Sequence, residues 1–147
     1  MRKILFRCKL KDNGEWIYWD MLGRITTHTG KLSKVTIKRG AHEAYYYHAY
    51  QIMEKIDRST IGQYTGLKDK NGKRIFEGDI VGTDIKRPYL IVEFRDGCFM
   101  FNCNDGGKDY YDIMLPIFEE PQTKYEFGEV IGNIHDNPEL LEEGNHG

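Results

Sequence analysis

The residues that come closest to a phosphate-binding motif lie between Gly66 and Gly72-Lys73. In a phosphate-binding loop, glycine amides and a lysine cradle the phosphate oxygens, and a following Ser or Thr binds magnesium. That motif has four residues between its glycines, whereas five separate these two, and Arg74 takes the place of the hydroxyl residue. Neither serine of the chain lies in the context of a nucleophile elbow. The sequence therefore predicts that the protein is not an enzyme.

Residue types that bind metal ions occur in two small groups. Asp105, Asp109 and Asp112 flank a Gly-Gly pair, but they lack the spacing of a calcium loop. His42 and His48 would share one side of a strand, yet the sequence places no third ligand beside them. We expect a solvated turn and polar surface at these positions, with no metal and no cofactor.

The three cysteines, Cys8, Cys98 and Cys103, include no Cys-x-x-Cys pair. An odd number without that spacing indicates neither a disulfide framework nor a zinc site. On one straight strand, the odd separation of Cys98 and Cys103 would put them on opposite faces. Reduced thiols are the prediction for all three.

The composition favours a β protein in solution. Of the 147 residues, 39% are hydrophobic, 13% are aromatic and 16 are glycines, a balance that suits pleated sheets with tight turns. No run approaches the roughly 18 apolar residues of a membrane span. Only residues 4–6 are apolar before charge returns at Arg7, too short a stretch for a signal peptide. We expect a cytoplasmic protein that has no membrane contact.

Charge is divided unevenly along the chain. Residues 1–60 carry 12 Lys/Arg and 6 Asp/Glu, a net charge of +6, whereas residues 61–147 carry 9 and 17, a net charge of −8. Such a split fits a polyanion-binding face, a head-to-tail self-contact or simple solubility.

The chain opens with a predicted β-hairpin. Residues 4–10 and 15–19 are patterned as strands, and Asn13-Gly14 between them tolerates the positive φ of a turn. The polar stretch 21–34 predicts a loop, and a short strand is predicted at 35–38.

Residues 41–56 fit either a strand or a helix. Tyrosines at 45–47 favour a strand, while Ala44, Gln51 and Met53 would tolerate a helix. We expect a strand over 45–56.

From residue 60 the strand signals become stronger. Hairpin turns are predicted at Asn71-Gly72 and Asp96-Gly97, because these pairs adopt positive φ readily. A helical turn follows Asn137, which would cap the helix amides, with Pro138 in its first turn and Gly144 at its end. The strands are predicted at 60–67, 74–76, 77–81, 89–95, 98–102, 110–115 and 127–134.

Short strands joined by tight turns indicate a small closed barrel, since closure removes the exposed edges of a short sheet. The predicted fold is mainly β and has three parts. A β-rich region with a variable loop spans 1–59, the barrel spans 60–134, and a short helix with a tail spans 135–147.

Two blocks of the sequence resemble the YopX family, small proteins encoded by phages and by prophages in bacterial genomes. The segment IGQYTGLKDKNGKRIFEGDIV at 61–81 is similar to the family's signature block, and VIGNIHDNPELL at 130–141 is similar to its C-terminal block. Phe6-Arg7 and the following hairpin resemble its N-terminus. The resemblance implies an SH3-like barrel on the C-terminal side, in a protein of the bacterial host's cytoplasm. It implies no reaction, cofactor or catalytic residue.

The signature block also has a purely structural explanation. Its glycines permit a bulge, a sharp turn or a backbone angle that other residues avoid, and its Asn and Asp side chains bond to nearby amides. The residues concerned are Gly62, Gly66, Asn71, Gly72, Gly78 and Asp79.

The first hypothesis of function is a non-enzymatic phage or prophage accessory protein that binds another protein or copies of itself. The alternative is nucleic-acid binding, because basic surfaces with stacking aromatics bind single strands. Against it, the sequence pI of 6.2 is far below the value above about 9 expected of such a domain. The aromatic residues of the basic half are Phe6, Trp16, Tyr18, Trp19, Tyr45, Tyr46, Tyr47 and Tyr50.

Overall fold

The computed structural model describes residues 3–20, 25–27, 54–83, 89–105, 108–113 and 128–144. The chain consists of two compact units, residues 1–63 and 64–147. Their boundary, between residues 63 and 64, falls inside a strand, four residues beyond the boundary between 59 and 60 that the sequence predicted. The predicted tail at 135–147 belongs to the second unit.

The first unit contains antiparallel strands packed on an apolar core. Successive side chains of a strand point to opposite faces, so alternate residues pack into this core, where Cys8 and Ile17 are almost fully buried. Along the sheet the strand order is β3-β2-β1-β4. The strands are β1 (Leu5–Leu10), β2 (Trp16–Asp20), β3 (Ile25–Thr27) and β4 (Ile56–Lys68).

Strand β4 serves both units. Its first part pairs with β1, where Arg7 lies opposite Gly62, and its second part pairs with β5 (Arg74–Phe76), where Tyr64 lies opposite Phe76. A register shift interrupts each of these ladders.

The second unit contains a second antiparallel sheet, in the order β10-β6-β7-β8-β9. Its core is formed by branched aliphatic side chains and Phe101, with Ile75 and Val81 fully buried. The elements are β5 (Arg74–Phe76), β6 (Asp79–Thr83), β7 (Leu90–Arg95), β8 (Cys98–Asp105), β9 (Lys108–Ile113), β10 (Gly128–Asn133) and the helix α1 (Glu139–Gly144).

The mainly β prediction is confirmed, but the prediction of a closed barrel was wrong. Strands β9 and β10 are the two edges of the second sheet, and no ladder between described residues joins them. Strand β5 pairs with β4, in the other sheet. Strand count alone cannot predict closure, because closure depends on which strands become neighbours and in what register. The SH3-like form stays a prediction.

Local predictions differ from the structure at several positions. The predicted loop at 21–34 contains the short strand β3. Strand β4 begins at Ile56, four residues before the predicted start, and Glu54 and Lys55 just before it are helical. The remainder of the strand predicted at 45–56, and the one at 35–38, lie outside the described residues.

The two predicted hairpin turns have different geometries. Asp96 and Gly97 have φ of +50° and +81°, which is the expected two-residue turn. At Asn71-Gly72 a three-residue loop forms instead. The Gly72 amide donates to the Asp69 carbonyl oxygen, and of residues 69–73 only Gly72 has a positive φ, +81°. The reason for the longer loop lies in the contacts of Asp69.

Candidate functional site

The buried carboxylate of Asp69 organises the hairpin of the signature block. Its Oδ1 accepts hydrogen bonds from the backbone amides of Asn71 and Lys73, both at 2.9 Å. Its Oδ2 accepts from the amide of Val130 at 2.9 Å. Asp69 is 1% exposed, and the three amides take the place of the water molecules that a carboxylate loses on burial. No role was predicted for Asp69, because its third partner lies 61 residues away.

The same hairpin is attached to the start of β10 by further contacts. The Lys70 amide donates to the Gly128 carbonyl oxygen at 3.0 Å, and the Asn71 side chain donates to Glu129 Oε1 at 3.0 Å. Lys70 Nζ lies 3.8 Å from Glu129 Oε2 on the exposed side. The two sequence blocks thus lie side by side in the fold and are joined by hydrogen bonds.

The glycines of the signature block occupy different kinds of position. Gly62 is a buried residue of β4, and Gly66 has a φ of +88° inside the register shift between β4 and β5. A strand and a turn therefore separate Gly66 from Gly72, and Lys73 is followed by β5. This arrangement differs from a phosphate-binding loop, in which a helix follows the lysine.

Gly78 and Asp79 form the sharp turn into β6. Gly78 has a φ of +87°, its amide donates to the Val92 carbonyl oxygen at 2.8 Å, and its own carbonyl accepts from Ile134 at 2.9 Å. Asp79 is 1% exposed, and its Oδ2 accepts from the Phe76 amide at 2.7 Å. These contacts make the turn a junction between β5, β7 and the end of β10.

The C-terminal block forms a second polar junction, before α1. Asn133 Oδ1 accepts from the amides of His135 and Asp136 at 3.0 and 2.9 Å. The prediction that Asn137 caps the helix amides was wrong. Its Oδ1 accepts instead from the amide of Asn133 at 3.3 Å, a residue that precedes the helix in the sequence. Helix α1 does end at Gly144 as predicted.

A polar cluster missed by the sequence reasoning lies on the outward side of β7, β8 and β9. The side-chain amide of the buried Asn102 donates to Glu93 at 3.2 Å and to Asp109 at 3.4 Å. Arg95 donates to the Tyr111 hydroxyl and lies 4.1 Å from its ring centroid. Desolvation and then the Glu93 carboxylate raise the pKa of Tyr111. Only the strand register brings these side chains together.

The opposite side of these strands packs on the core through Val92 and Phe101, and beyond these two residues it carries exposed aromatic residues. Phe94 and Tyr110 are 52% and 54% exposed, and Phe94 packs edge-on against Phe99 at 5.1 Å between ring centroids. The register puts the exposed Asp112 on the same side. We call Phe94, Phe99, Tyr110 and Asp112 the aromatic face.

The described aromatic residues of the first unit divide between the two sides of its sheet. Phe6 stacks on Trp19 at 5.5 Å, and Trp19 packs on the core. Trp16 lies on the other side, with the Arg7 guanidinium 4.5 Å and Lys9 Nζ 5.7 Å from its ring centroid. The tyrosines at 45–47 and 50 lie outside the described residues.

Two of the residues predicted to be poor metal ligands lie apart in the part of the chain that the structure describes. Asp109 and Asp112 lie on opposite sides of β9, and His42 and His48 are outside the described residues. Among the residues that the structure describes, no group of three or more His, Cys, Asp or Glu side chains could hold a metal ion.

No described helix has the length and apolar character needed to cross a lipid bilayer.

Comparison with known proteins gives three findings. The crystal structure of protein EF1440 from Enterococcus faecalis matches with 37% sequence identity and a TM-score of 0.38, over 56% of this chain and 55% of that chain. None of the curated proteins matches. The family model described as YopX protein matches residues 5–142, nearly the whole length. The chain therefore belongs to the YopX family.

Proposed function

We propose that this protein is a phage or prophage accessory protein that acts in the bacterial cytoplasm by binding another protein, without catalysing a reaction. The aromatic face is the observation that carries this proposal. Phe94 and Tyr110 are each more than half exposed on one side of a three-stranded segment. Aromatic side chains supply much of the binding energy at protein interfaces, because each buries a large area in a rigid form.

The contacts of the two sequence blocks support the same proposal. The carboxylates of Asp69 and Asp79 accept hydrogen bonds from backbone amides inside the fold. Such bonds stabilise turns, so the most distinctive part of the sequence is explained by architecture. A surface for recognition then has to lie elsewhere, and the aromatic face is one.

Affinity capture with matched variants tests the proposal. The tagged full-length protein would be used as bait in prophage-induced cells, beside Phe94→Ser/Tyr110→Ser and the control Ile131→Ser, which removes a 38% exposed apolar residue from β10. We expect the wild type and the control to retain the same partner protein, and the double variant to lose it at least tenfold. Equal recovery by all three baits would contradict the proposal, provided that circular dichroism shows the double variant to be folded.

Nucleic-acid binding is the second candidate. Lys9 beside Trp16 supports it, since cations and aromatic rings together bind single strands, whereas Arg7 is only 6% exposed. Fluorescence polarisation with labelled single- and double-stranded DNA and RNA at low salt is the test. Saturable binding that weakens with salt would favour this candidate over protein binding, and a flat titration with every probe would end it.

A further inference from the structure

The two edges of the second sheet differ in how their backbone groups are used. Strand β10 forms one edge, and the signature hairpin covers its outer side. The Gly128 carbonyl oxygen accepts from the Lys70 amide, and the Val130 amide donates to the buried Asp69. Strand β9 forms the other edge, where no ladder between described residues pairs its outer side. An unpaired edge is a template for a further strand, so the sheet can be extended at β9.

The side chains of β9 restrict which strand can pair there. Lys108, Tyr110 and Asp112 lie on one side of the strand, and Asp109 and Tyr111 lie on the other. All three charged residues are exposed. Like charges directly opposite each other destabilise a strand pair, whereas opposite charges stabilise it. A favourable partner strand therefore brings an anion to Lys108 and a cation to Asp112.

A second copy of β9, running antiparallel, meets this requirement. When a two-fold axis passes through Tyr110, the tyrosines of the two copies lie opposite each other. Lys108 of each copy then lies opposite Asp112 of the other, which gives two ion pairs. On the other side of the sheet, Asp109 lies opposite Tyr111, a carboxylate opposite a hydroxyl. Every charged residue of the strand thus has a compatible partner.

Neighbouring registers are less favourable. Residues opposite each other in an antiparallel pair share a side of the sheet, so the two-fold axis must pass through a residue. An axis at Asp109 or Asp112 would bring two carboxylates directly together. An axis at Tyr111 would leave Lys108 opposite no residue of β9. The charges of the edge therefore favour the register centred on Tyr110.

We infer that β9 pairs with β9 of a second copy in this register, so that the second sheets of two chains become one continuous sheet. The same strand serves both copies, so the interface is isologous and closes at a dimer. The two aromatic faces then lie beside each other on one side of the joined sheet. This inference goes beyond the proposed function, because it concerns the edge of the sheet and requires no other protein.

Charge reversal tests the register. In sedimentation equilibrium of the full-length protein, we expect the average mass to rise with concentration from that of one chain toward twice that mass. Lys108→Glu and Asp112→Lys each put like charges opposite each other at both ends of the strand pair, so either variant alone should dimerise about tenfold more weakly. The control Lys73→Glu reverses an exposed cation of the hairpin that covers the other edge, and it should dimerise like the wild type.

A mixture of the two weakened variants tests the pairing of Lys108 with Asp112 directly. In a mixed pair, each end of the strand again joins a carboxylate to an ammonium group. We expect an equal mixture to dimerise as strongly as the wild type. The double variant Lys108→Glu/Asp112→Lys restores the same pairs between identical chains and should dimerise as well. Recovery in the mixture would also show that both single variants are folded.

Three results would overturn the inference: a wild type that stays a single chain at every concentration, a Lys108→Glu variant that dimerises as well as the wild type, or a mixture that associates no better than its components. Affinity capture of another protein is a separate measurement. If the wild type is a single chain but captures a partner through Phe94 and Tyr110, the proposed function stands and the dimer is excluded. If the dimer forms and all baits recover the same proteins equally, the proposed function is lost and the inference stands.

Discussion

At the scale of single residues, Asp69 is the side chain on which most of the signature hairpin depends. Three amide donors converge on one carboxylate that is almost fully buried. Charge-assisted hydrogen bonds are stronger than neutral ones, and a buried donor that loses its acceptor retains the full cost of desolvation.

Asp69→Asn tests this directly. One carboxylate oxygen becomes an amide nitrogen, so at least one of the three amides faces another donor. We expect the free energy of unfolding of the second unit to fall by about 2–3 kcal/mol, measured by urea denaturation. Asp96→Asn is the matched control. Asp96 is exposed with a φ of +50°, which Asn tolerates, and a change of more than about 0.5 kcal/mol there would contradict the comparison.

Cys8 gives a second prediction at this scale. Burial, and then the Asp57 charge, raise the pKa of its thiol to about 12. The thiol therefore stays protonated at pH 8, and iodoacetamide should modify the half-buried Cys98 before it reaches Cys8. Peptide mapping by mass spectrometry measures both sites. Alkylation of Cys8 in the folded protein at the rate of Cys98 would contradict the prediction.

The same shift sets a dependence of stability on pH. The folded pKa of the thiol lies above its ordinary value of 9.0, so the neutral thiol contributes its full stability below pH 9. That contribution is lost as the pH rises toward 12, because the unfolded chain then releases a proton that the folded chain keeps.

At the scale of elements, the junction between β10 and α1 depends on the close approach of Gly132 and Asn137. A Cβ on Gly132 would lie 2.4 Å from Asn137 Oδ1, the atom that accepts from the Asn133 amide. This contact is steric, and it explains a glycine without any positive φ.

Gly132→Ala should therefore lower the free energy of unfolding by about 1–3 kcal/mol, since Asn137 must leave its position. In an Asn137→Ala background the same change should cost less than about 1 kcal/mol, because Oδ1 and Cγ are removed and only the Cβ of residue 137, at 3.1 Å, remains close to the added methyl group. A double-mutant cycle from urea denaturation measures the difference. Equal costs in both backgrounds would show that the clash is not with Asn137.

Hairpins show how far sequence reasoning reaches at this scale. The turn at Asp96-Gly97 was predictable because both φ angles are decided by the two residues themselves. The loop at Asn71-Gly72 was predicted with the wrong length, because the Asp69 carboxylate bonds to two of its amides and to β10. Local chemistry predicts a turn well only where no distant partner competes for its amides.

The candidate surfaces were less predictable than the strands. The polar cluster around Asn102 and the aromatic face around Phe94 both depend on the register between β7, β8 and β9, since one residue of slip exchanges the two sides of a strand. The alternation of residues in 89–95 predicted the strand, but it could not predict that Phe94 would stay exposed on the side whose Val92 is buried in the core.

At the scale of the whole molecule, each unit has an apolar core of its own, with Ile17 buried in the first and Ile75 in the second. Truncation of either side chain to alanine should cost about 2–5 kcal/mol. In hydrogen exchange followed by mass spectrometry, we expect Ile17→Ala to speed exchange in β1 and β2, and Ile75→Ala to speed it in β6 and β7. Equal acceleration across both sheets from either variant would mean that the cores unfold as one.

The course of β4 has a consequence for how such a protein can be cut or recombined. Modular proteins usually join their parts through a linker, where a break severs few contacts. Here the boundary after Gln63 lies in a continuous strand that gives its first residues to one ladder and its last to another. A hybrid made from two relatives at this point would contain a β4 strand with one part from each parent. Its pairing with β1 and β5 would stay intact only if both parents have the same strand register along β4.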